Sequence, residues 1–411
     1  MPQPAGLRRY ASMIFTTYWF VVFILCVLPL YWLARPAWLR LALLLVSCSV
    51  FHGKFAGAAG MVPIIVLCTT TYLAGLSRRR WLIDVGMALP VLALVFYKYT
   101  HFISLKLLAH LSPQWGEQLN QLLLAHLPAT PPLGVSFFAF EFVHYLYDVR
   151  KGQPSIKNPA HFWAFTFFFP SLVAGPIKRY QPFLQALAEG MRRVTLDDLK
   201  FGVWRVAVGY AKKVVIADNL TAGIHYWHAH YQELSLGGRW LFVTAIAFRI
   251  LLDFSGYSDI AIGLSRMLGI RLGENFRWPY LAVNLQDFWR RWHISLSSWI
   301  RDYVYIPLGG SRQGVWRKAL NGLIAFGLCG LWHGPDWNFV LWGLWHGVGL
   351  VVCTSYPTLL GPVGRAMARL FNRVPLLAWA LTMLFVGLGW ICFFYPLSES
   401  MHMVRLLFVA K

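Results

Sequence analysis

Residues 330–347 read Gly330-Leu-Trp-His333-Gly-Pro-Asp-Trp-Asn-Phe-Val-Leu-Trp-Gly343-Leu-Trp-His346-Gly, so the string Gly-Leu-Trp-His-Gly occurs twice in apolar sequence. Ionisable side chains are costly at membrane depth, and those found there usually serve a function. Histidine has a pKa close to neutrality, which suits it to taking up and releasing protons. Pro335 should end or bend the helix that carries His333. The stretch therefore predicts two successive membrane helices with one histidine on each.

The remaining sequence is similarly apolar. Of 411 residues, 58% are hydrophobic and 13% are charged, whereas soluble domains carry about 25% charged residues. Several apolar runs approach the roughly 20 residues that cross a bilayer as a helix. The longest are residues 13–34, 56–76, 81–103, 239–252, 339–354 and 376–395, and shorter runs lie around 38–51, 133–147, 162–174, 201–216 and 319–331. We predict an all-α polytopic membrane protein with about nine to eleven membrane-embedded helices and further re-entrant or interfacial segments. No polar linker divides the chain, so residues 1–411 are interpreted as one integral-membrane domain.

The chain is strongly basic. Lys and Arg number 37 against 16 Asp and Glu, which gives a net charge of +21. An excess of basic residues in cytoplasmic loops accounts for most of this charge, and attraction to anionic headgroups or to a phosphate-bearing donor is compatible with it. The basic residues are scattered between apolar runs, which argues against nucleic-acid binding. All six cysteines lie in apolar runs without Cys-x-x-Cys spacing, so we predict neither disulfides nor a metal site.

Two polar segments interrupt the apolar pattern in the middle of the chain. The turn Gly175-Pro176 lies in an apolar run and is followed by Lys178 and Arg179. Irregular backbone at membrane depth needs protein or a cavity around it, so a re-entrant turn competes here with an ordinary surface loop. Further on, Asp253 could pair with Arg249 at i,i+4 spacing, either as a structural ion pair or as a pocket wall.

Residues 284–305 alternate polar and aromatic side chains, which is typical of a helix lying in the membrane interface. The segment includes Trp292, Arg301 and Asp302, and it places His293 where a water-soluble substrate could meet a membrane cavity.

Together these motifs resemble the membrane-bound O-acyltransferase family. The resemblance is densest in its bacterial branch, which contains alginate O-acetyltransferases and the D-alanyl transfer protein of teichoic acid synthesis, and it runs from about residue 133 to residue 346. The residues that carry it are Asp253-Phe-Ser-Gly-Tyr-Ser-Asp259, Glu274-Asn-Phe, Phe288-Trp-Arg-Arg-Trp-His293-Ile-Ser-Leu-Ser297, Ile300-Arg-Asp302 and Leu331-Trp-His333-Gly.

The resemblance implies a helical membrane fold with a funnel and a central tunnel. It implies His333 and His293 as catalytic residues and a supporting role for His346. Lys178 and Arg179 are the candidates for a basic surface on the donor side. Further tunnel candidates are Trp332, Trp292, Asp253, Tyr257, Asn275, Arg301 and Asp302.

The family chemistry needs a base and an acyl thioester, and we expect no permanently bound cofactor. A neutral histidine in a poorly hydrated tunnel could take the proton of an attacking hydroxyl. We assign that role to His333, while His293 would orient the acceptor or relay the proton. The donor would be acetyl-CoA or an acylated phosphopantetheine carrier protein, itself acidic, on the cytoplasmic side.

The acyl group and the acceptor stay open at this stage. We expect acetyl transfer toward hydroxyls of an exported polysaccharide or envelope polymer, with D-alanyl transfer as the alternative and a periplasmic or extracellular acyltransferase as a further partner. A transporter would also use intramembrane His and Asp. However, transporters commonly contain long internal repeats, and this chain repeats only the short Trp-His-Gly string, so the sequence favours an enzyme. The resemblance also implies a multi-pass protein of a bacterial inner membrane.

Overall fold

The computed structural model describes residues 14–77, 79–124, 127–128 and 131–409, which form helices and turns and contain no strand. This confirms the all-α prediction for that part of the chain. Five of the helical segments are long and apolar enough to cross a membrane, and two shorter apolar segments, Tyr18–Leu33 and Phe102–Leu111, accompany them. The total of about nine to eleven embedded helices stays a prediction.

The described residues of the first half form eight α-helices of eight or more residues, besides the three-residue helical turn Ala109–Leu111. They are α1 (Tyr18–Leu33), α2 (Ala37–Ser77), α3 (Arg80–Leu94), α4 (Pro113–Leu124), α5 (Val135–Arg150), α6 (Pro159–Thr166), α7 (Tyr180–Arg192) and α8 (Leu196–Tyr210). π-Helical turns at Val95–Tyr99, Phe102–Leu108 and Ala211–Ala217 extend α3 and α8. Residue 13, which opens the first predicted run, lies outside the described residues.

The second half continues with nine more helices. They are α9 (Asp218–Ala229), α10 (Leu236–Met267), α11 (Leu285–Arg291), α12 (Ile294–Ile300), α13 (Gly314–His333), α14 (Trp337–Leu359), α15 (Gly361–Arg373), α16 (Pro375–Phe394) and α17 (Leu397–Leu406). The candidate spans are α2, α3 with its π-helical extension, α10, α14 and α16.

Helix α2 joins two of the predicted runs across a kink. Gly57 has φ 64° and ψ 175° in the middle of this helix. A residue with a Cβ rarely adopts a positive φ, so glycine permits the chain to bend here. The predicted runs at residues 38–51 and 56–76 therefore become the two halves of one kinked element.

The chain divides into two compact units that alternate along the sequence. One unit is Met1–Tyr210 with Tyr257–Gly273, and the other is Ala211–Gly256 with Glu274–Lys411. Two of the three division points fall within continuous helical segments, which agrees with the lack of a polar linker, and the third falls in the loop at Gly273 and Glu274. The interpretation of residues 1–411 as one domain stays a prediction, and each unit is described by itself.

In the first unit, buried aromatic side chains pack around the irregular segment between α6 and α7. Residues 167–178 are buried apart from the partly buried Ala174. A Cβ on Gly175 would lie within 2.7 Å of Ser171 and 3.3 Å from Ala261, so only glycine fits at this turn. The Gly175-Pro176 segment is thus an internal turn covered by protein, and the alternative of a surface loop is wrong for this unit.

Candidate active site

The two Trp-His-Gly strings lie on α13 and α14, which form an antiparallel hairpin. His333 is the last residue of α13, and Asp336 caps α14 because its carboxylate accepts a 2.7 Å hydrogen bond from the backbone N–H of Trp337. The predicted break at Pro335 is confirmed. The two histidines therefore lie on different helices, as their spacing around the proline indicated.

The repeated glycines set how closely these helices pack. A Cβ on Gly330 would lie 3.0 Å from the Cα and N of Gly343, and the reverse holds for a Cβ on Gly343. Backbones that approach this closely leave no room for a side chain at either position. The contact brings the turn that carries His333 against the first turns of α14.

His333 lies among aromatic rings and is only partly buried. Its imidazole centroid lies 4.8 Å from the ring of Trp332, 5.1 Å from Trp342 and 5.2 Å from Phe393. The last two contacts are edge-on, with interplanar angles of 89° and 77°. The rings hold the imidazole in place while part of its surface stays open to a substrate.

His293 occupies a strained junction between α11 and α12. Its backbone has φ 42° and ψ 55°, the left-handed region that non-glycine residues rarely adopt. The side chain is fully buried and its Nδ1 lies 3.2 Å from Oδ1 of Asn275. Strain of this kind is kept where the surroundings enforce it, and it clusters at functional sites.

The contacts of Asn275 determine which nitrogen of His293 carries the proton. Oδ1 of Asn275 accepts a 3.2 Å hydrogen bond from the backbone N–H of Ser295 and a 2.8 Å bond from its hydroxyl. A backbone N–H can only donate, so this oxygen is an acceptor and Nδ1 of His293 must donate to it. Nε2 of His293 then carries the lone pair, and this buried atom has no partner within the described part of the chain.

Burial also keeps His293 neutral. Desolvation lowers the pKa of His293 to about 3, because the charged form loses its hydration when the ring is enclosed. The ring of Phe254 covers one face edge-on at 4.6 Å. At neutral pH the imidazole is therefore an uncharged acceptor of fixed orientation.

His346 is enclosed on all sides in the middle of α14. Its ring centroid lies 5.2 Å from Trp289, 5.0 Å from Trp342 and 5.8 Å from Phe385. A Cβ on Gly389 would lie only 3.2 Å from Nε2 of His346. Both ring nitrogens are buried without a partner among the described residues. The supporting role expected for His346 stays a prediction.

Tryptophan rings connect the three histidines. Trp332 lies 4.8 Å from His333 and 6.1 Å from His293, measured between ring centroids. Trp342 contacts both His333 and His346. The sequence analysis named Trp332 and missed Trp342, although Trp342 directly precedes the glycine of the second string.

The chain matches a known protein family along nearly its whole length. The model of the MBOAT, membrane-bound O-acyltransferase family matches residues 3–395. The chain belongs to this family. It is therefore a multi-pass membrane protein, as its apolar helices indicate.

Several similar proteins come from bacteria. One named "Probable alginate O-acetylase AlgI" from Pseudomonas putida is 36% identical over 333 residues, which cover 81% of this chain and 64% of that protein. A protein of the same name from Azotobacter vinelandii is 34% identical over 390 residues, which cover 90% and 74% of the two chains. A "Teichoic acid D-alanyltransferase" from Bacillus subtilis is 29% identical over 233 residues, or 54% of this chain and 59% of the other. The chain thus spans less than two thirds of the length of the first of these relatives.

Asp253, the first residue of one of the motifs that carry the family resemblance, belongs to a charged cluster. Its carboxylate lies 2.9 Å from Nζ of Lys213 and 3.9 Å from Nη2 of Arg249. Lys213 also contacts Asp218 at 2.5 Å. The predicted Arg249–Asp253 pair is present, but Lys213 is the closer cation, and the sequence analysis missed it. The next residue after Asp253 is Phe254, whose ring covers His293.

The remaining tunnel candidates lie in different surroundings. Trp292 is buried between Phe276 and Trp390, at centroid distances of 5.0 and 4.9 Å. Arg301 donates a 2.8 Å hydrogen bond to its neighbour Asp302 on the π-helical segment Arg301–Tyr305. Tyr257 belongs to the other unit, where it stacks on Phe15 at 4.6 Å. Its assignment to the tunnel therefore stays a prediction.

Lys178 and Arg179 do not form the exposed basic surface that the sequence indicated. Nζ of Lys178 is almost fully buried and lies 2.5 Å from Oε1 of Glu141, itself buried. Rings of Phe165 and Phe183 lie 5.5 and 5.8 Å from the same ammonium group. The charge of Lys178 is thus neutralised inside the first unit, while Arg179 is the partly buried residue that precedes α7.

Proposed function

We propose that this protein is an O-acyltransferase that moves an acyl group from a thioester on the cytoplasmic side of the membrane toward hydroxyls of an exported polysaccharide or cell-envelope polymer. The observation that carries the proposal is the arrangement of two histidines around Trp332: His333 is reachable, and His293 is sealed with a fixed tautomer. Family membership supports the same chemistry.

In the proposed reaction, the acceptor oxygen attacks the carbonyl carbon of the thioester while His333 takes the hydroxyl proton. The new C–O bond forms as the C–S bond breaks, and the thiolate leaves with the proton that His333 had taken up. General base catalysis of this kind contributes about 100- to 10,000-fold. The surrounding aromatic rings exclude water, which would otherwise hydrolyse the thioester.

His293 would act on the acceptor through Nε2. Because Asn275 fixes the proton on Nδ1, Nε2 can only accept a hydrogen bond. A neighbouring hydroxyl of the acceptor would donate to this nitrogen, so that the attacking hydroxyl keeps its proton for His333. The proposed role of His293 is therefore to orient the acceptor, and His346 supports the site by filling the space behind Trp342.

Acetyl is the acyl group that the comparisons favour. The relatives named alginate O-acetylase are more similar and cover 81% and 90% of this chain, against 54% for the D-alanyltransferase. A "Peptidoglycan O-acetyltransferase" from Helicobacter pylori is also 34% identical over 77% of the chain. The donor would be acetyl-CoA or an acetylated carrier protein. A separate extracytoplasmic acyltransferase that passes the group to the polymer, and a place in the bacterial inner membrane, belong to the same proposal.

The test uses purified protein in proteoliposomes with alternative donors. Radiolabelled acetyl-CoA and a D-alanyl-charged carrier protein are supplied in turn, with a soluble oligosaccharide as the acceptor, and thiol release and label on the acceptor are measured. Transfer from acetyl-CoA that is absent in His333→Gln supports the proposal. Transfer from the D-alanyl carrier alone would mean that the acyl group is D-alanyl and not acetyl. Movement of a solute across the membrane without thiol release would favour the transporter reading.

A further inference from the structure

Charge is distributed unevenly along the hairpin of α13 and α14 and the elements around it. Between Tyr303 and Pro396 the chain has six basic residues and a single acidic one, Asp336. Gly322 packs near Val351, and Gly330 packs against Gly343, so the two helices are antiparallel. Asp336 lies in the turn at one end of the hairpin. The basic residues lie at or beyond its other end: Arg312, Arg317, Lys318, Arg365, Arg369 and Arg373.

Helix α15 contributes half of these charges and packs tightly on the end of α14. A Cβ on Gly364 would lie 3.0 Å from the Cα of Pro357, so the backbones of α15 and α14 nearly touch. The opposite surface of α15 is open. Its three arginines, Arg365, Arg369 and Arg373, recur every four residues and are all exposed, so they line one face of the helix.

A second face of α15 is apolar and also uncovered. Val363 and Leu370 are 63% and 48% exposed, and Met367 lies between them on the same face. A helix with adjoining apolar and basic faces is typical of segments that lie in the plane of a membrane interface. Because α15 connects the candidate spans α14 and α16, it must lie where both of them reach the membrane surface.

The start of α13 has matching chemistry at the same end of the hairpin. Trp316 is 90% exposed and is flanked by Arg317, with Lys318 next and Arg312 four residues earlier. Tryptophan is enriched at the headgroup level of bilayers, and basic residues beside it bind lipid phosphates. In the described part of the chain, no carboxylate forms a salt bridge with any of these six cations.

We propose that this end of the hairpin binds anionic phospholipids of the cytoplasmic leaflet. The apolar face of α15 would enter the boundary between headgroups and acyl chains, and its arginines would contact lipid phosphates. We call this surface the basic platform, and it consists of Arg312, Trp316, Arg317, Lys318, Arg365, Arg369 and Arg373. The excess of positive charge places it on the cytoplasmic side. The proposal does not depend on the acyl chemistry.

Lipid binding is measured on the full-length protein in detergent. Radiolabelled phosphatidylglycerol is bound to immobilised protein and displaced by unlabelled phosphatidylglycerol or by phosphatidylcholine with the same acyl chains. The wild type should bind phosphatidylglycerol at least tenfold more tightly than phosphatidylcholine. This preference should shrink as the salt concentration rises, because salt screens exposed charges. Equal binding of both lipids, or a preference that salt leaves unchanged, would overturn the proposal.

Substitutions then locate the binding surface. A basic residue near an anionic membrane surface contributes about 1 kcal/mol, or about fivefold. Arg365→Gln, Arg369→Gln and Arg373→Gln should each weaken binding by about that factor, and the triple variant by at least tenfold. A variant with lysine at all three positions (Arg365→Lys, Arg369→Lys and Arg373→Lys) should retain most of the binding. This control shows whether the glutamine variants bind weakly because they lost charge or because they misfolded.

A matched control removes three exposed charges elsewhere. Arg192→Gln, Arg193→Gln and Lys200→Gln lie in the first unit beside Asp197 and Asp198, and together they should change binding less than twofold. The proposal is overturned if this control weakens binding as much as the α15 triple variant. It is also overturned if the α15 variants bind phosphatidylglycerol like the wild type.

Discussion

Two buried polar sites in this molecule are built in opposite ways. In the first unit, Lys178 and Glu141 are buried and each satisfies the other at 2.5 Å. In the second unit, His293 is also fully buried, but its Nε2 has no partner among the described residues. Both sites are costly to bury. Only the second retains an unused hydrogen-bonding atom, and it adjoins the partly open His333 through Trp332.

We infer from this difference that the Lys178–Glu141 pair stabilises the fold and that His293 contacts a substrate. Removing one partner of a buried ion pair lowers the free energy of unfolding by about 3–5 kcal/mol. Replacing both partners by apolar side chains often costs little stability. A buried atom without a partner costs about 1–3 kcal/mol in every folded molecule. We therefore expect changes at the ion pair to alter stability and changes at His293 and His333 to alter turnover.

The largest effect is expected at His333. His333→Ala and His333→Gln should lower the rate of acyl transfer by about 100-fold or more, because the hydroxyl then loses its base. Both variants should insert and fold normally, since the imidazole is only partly buried. The rate is measured in the reconstituted assay after gel filtration confirms a monodisperse sample. Turnover close to that of the wild type would remove His333 from the mechanism.

A second large effect is expected at His293 and its partner. His293→Ala should reduce transfer strongly while donor binding is preserved, because Nε2 orients the acceptor. Asn275→Leu should also reduce transfer, by as much as about 100-fold, since the imidazole is no longer held in one orientation. Donor affinity and acceptor Michaelis constant are measured separately. If His293→Ala lost donor affinity while its acceptor Michaelis constant stayed unchanged, His293 would act on the donor and not on the acceptor.

At the ion pair, the expected effect is on stability. Lys178→Met leaves the carboxylate of Glu141 buried without its cation. The free energy of unfolding should therefore fall by about 3–5 kcal/mol. Adding Glu141→Leu should restore most of that loss. Turnover per folded molecule should stay within about twofold in the double variant, a difference of less than 1 kcal/mol. A specific loss of donor binding would instead support the donor-side role first suggested for Lys178.

A smaller effect is expected at His346. The enclosing rings leave no room for a substrate, so His346→Phe should change turnover by less than about fivefold, or about 1 kcal/mol. The substitution also removes two buried nitrogens without partners, so the thermal midpoint should not fall. His346→Ala is the contrasting variant, because it leaves a cavity beside Trp342. A loss of activity in His346→Phe as large as that of His333→Gln would show that the imidazole itself reacts.

The smallest effect concerns pH. Burial lowers the pKa of His293 to about 3, so this imidazole is neutral in the folded protein throughout pH 5–8. His293→Gln should therefore show the same pH midpoint for its residual activity as the wild type. The unfolded chain takes up a proton at this histidine below about pH 6.5, so His293 makes the wild type less stable as the pH falls. A midpoint that shifts in the variant would mean that His293 titrates in the working range.

Much of this arrangement could be predicted from the sequence. The apolar runs predicted helices, and the proline between the two strings placed His333 and His346 on separate helices. The contacts that define the site could not be predicted, because they join distant residues. His293 pairs with Asn275 over 18 residues, and Lys178 pairs with Glu141 over 37 residues. The sequence showed Lys178 beside Arg179 and gave no signal that a carboxylate on another helix would neutralise it.

The central claim is that the unpartnered Nε2 of His293, which adjoins the partly open His333 through Trp332, serves the chemistry, whereas the satisfied charge of Lys178 serves the structure. The most direct measurement is the single-turnover rate of acyl transfer per folded molecule, taken on His293→Ala and on the double variant Lys178→Met/Glu141→Leu in the same reconstitution. We predict a rate reduced by about 100-fold for the first and one within about twofold of the wild type for the second. The opposite order, with an active His293→Ala and an inactive but folded double variant, would contradict the account.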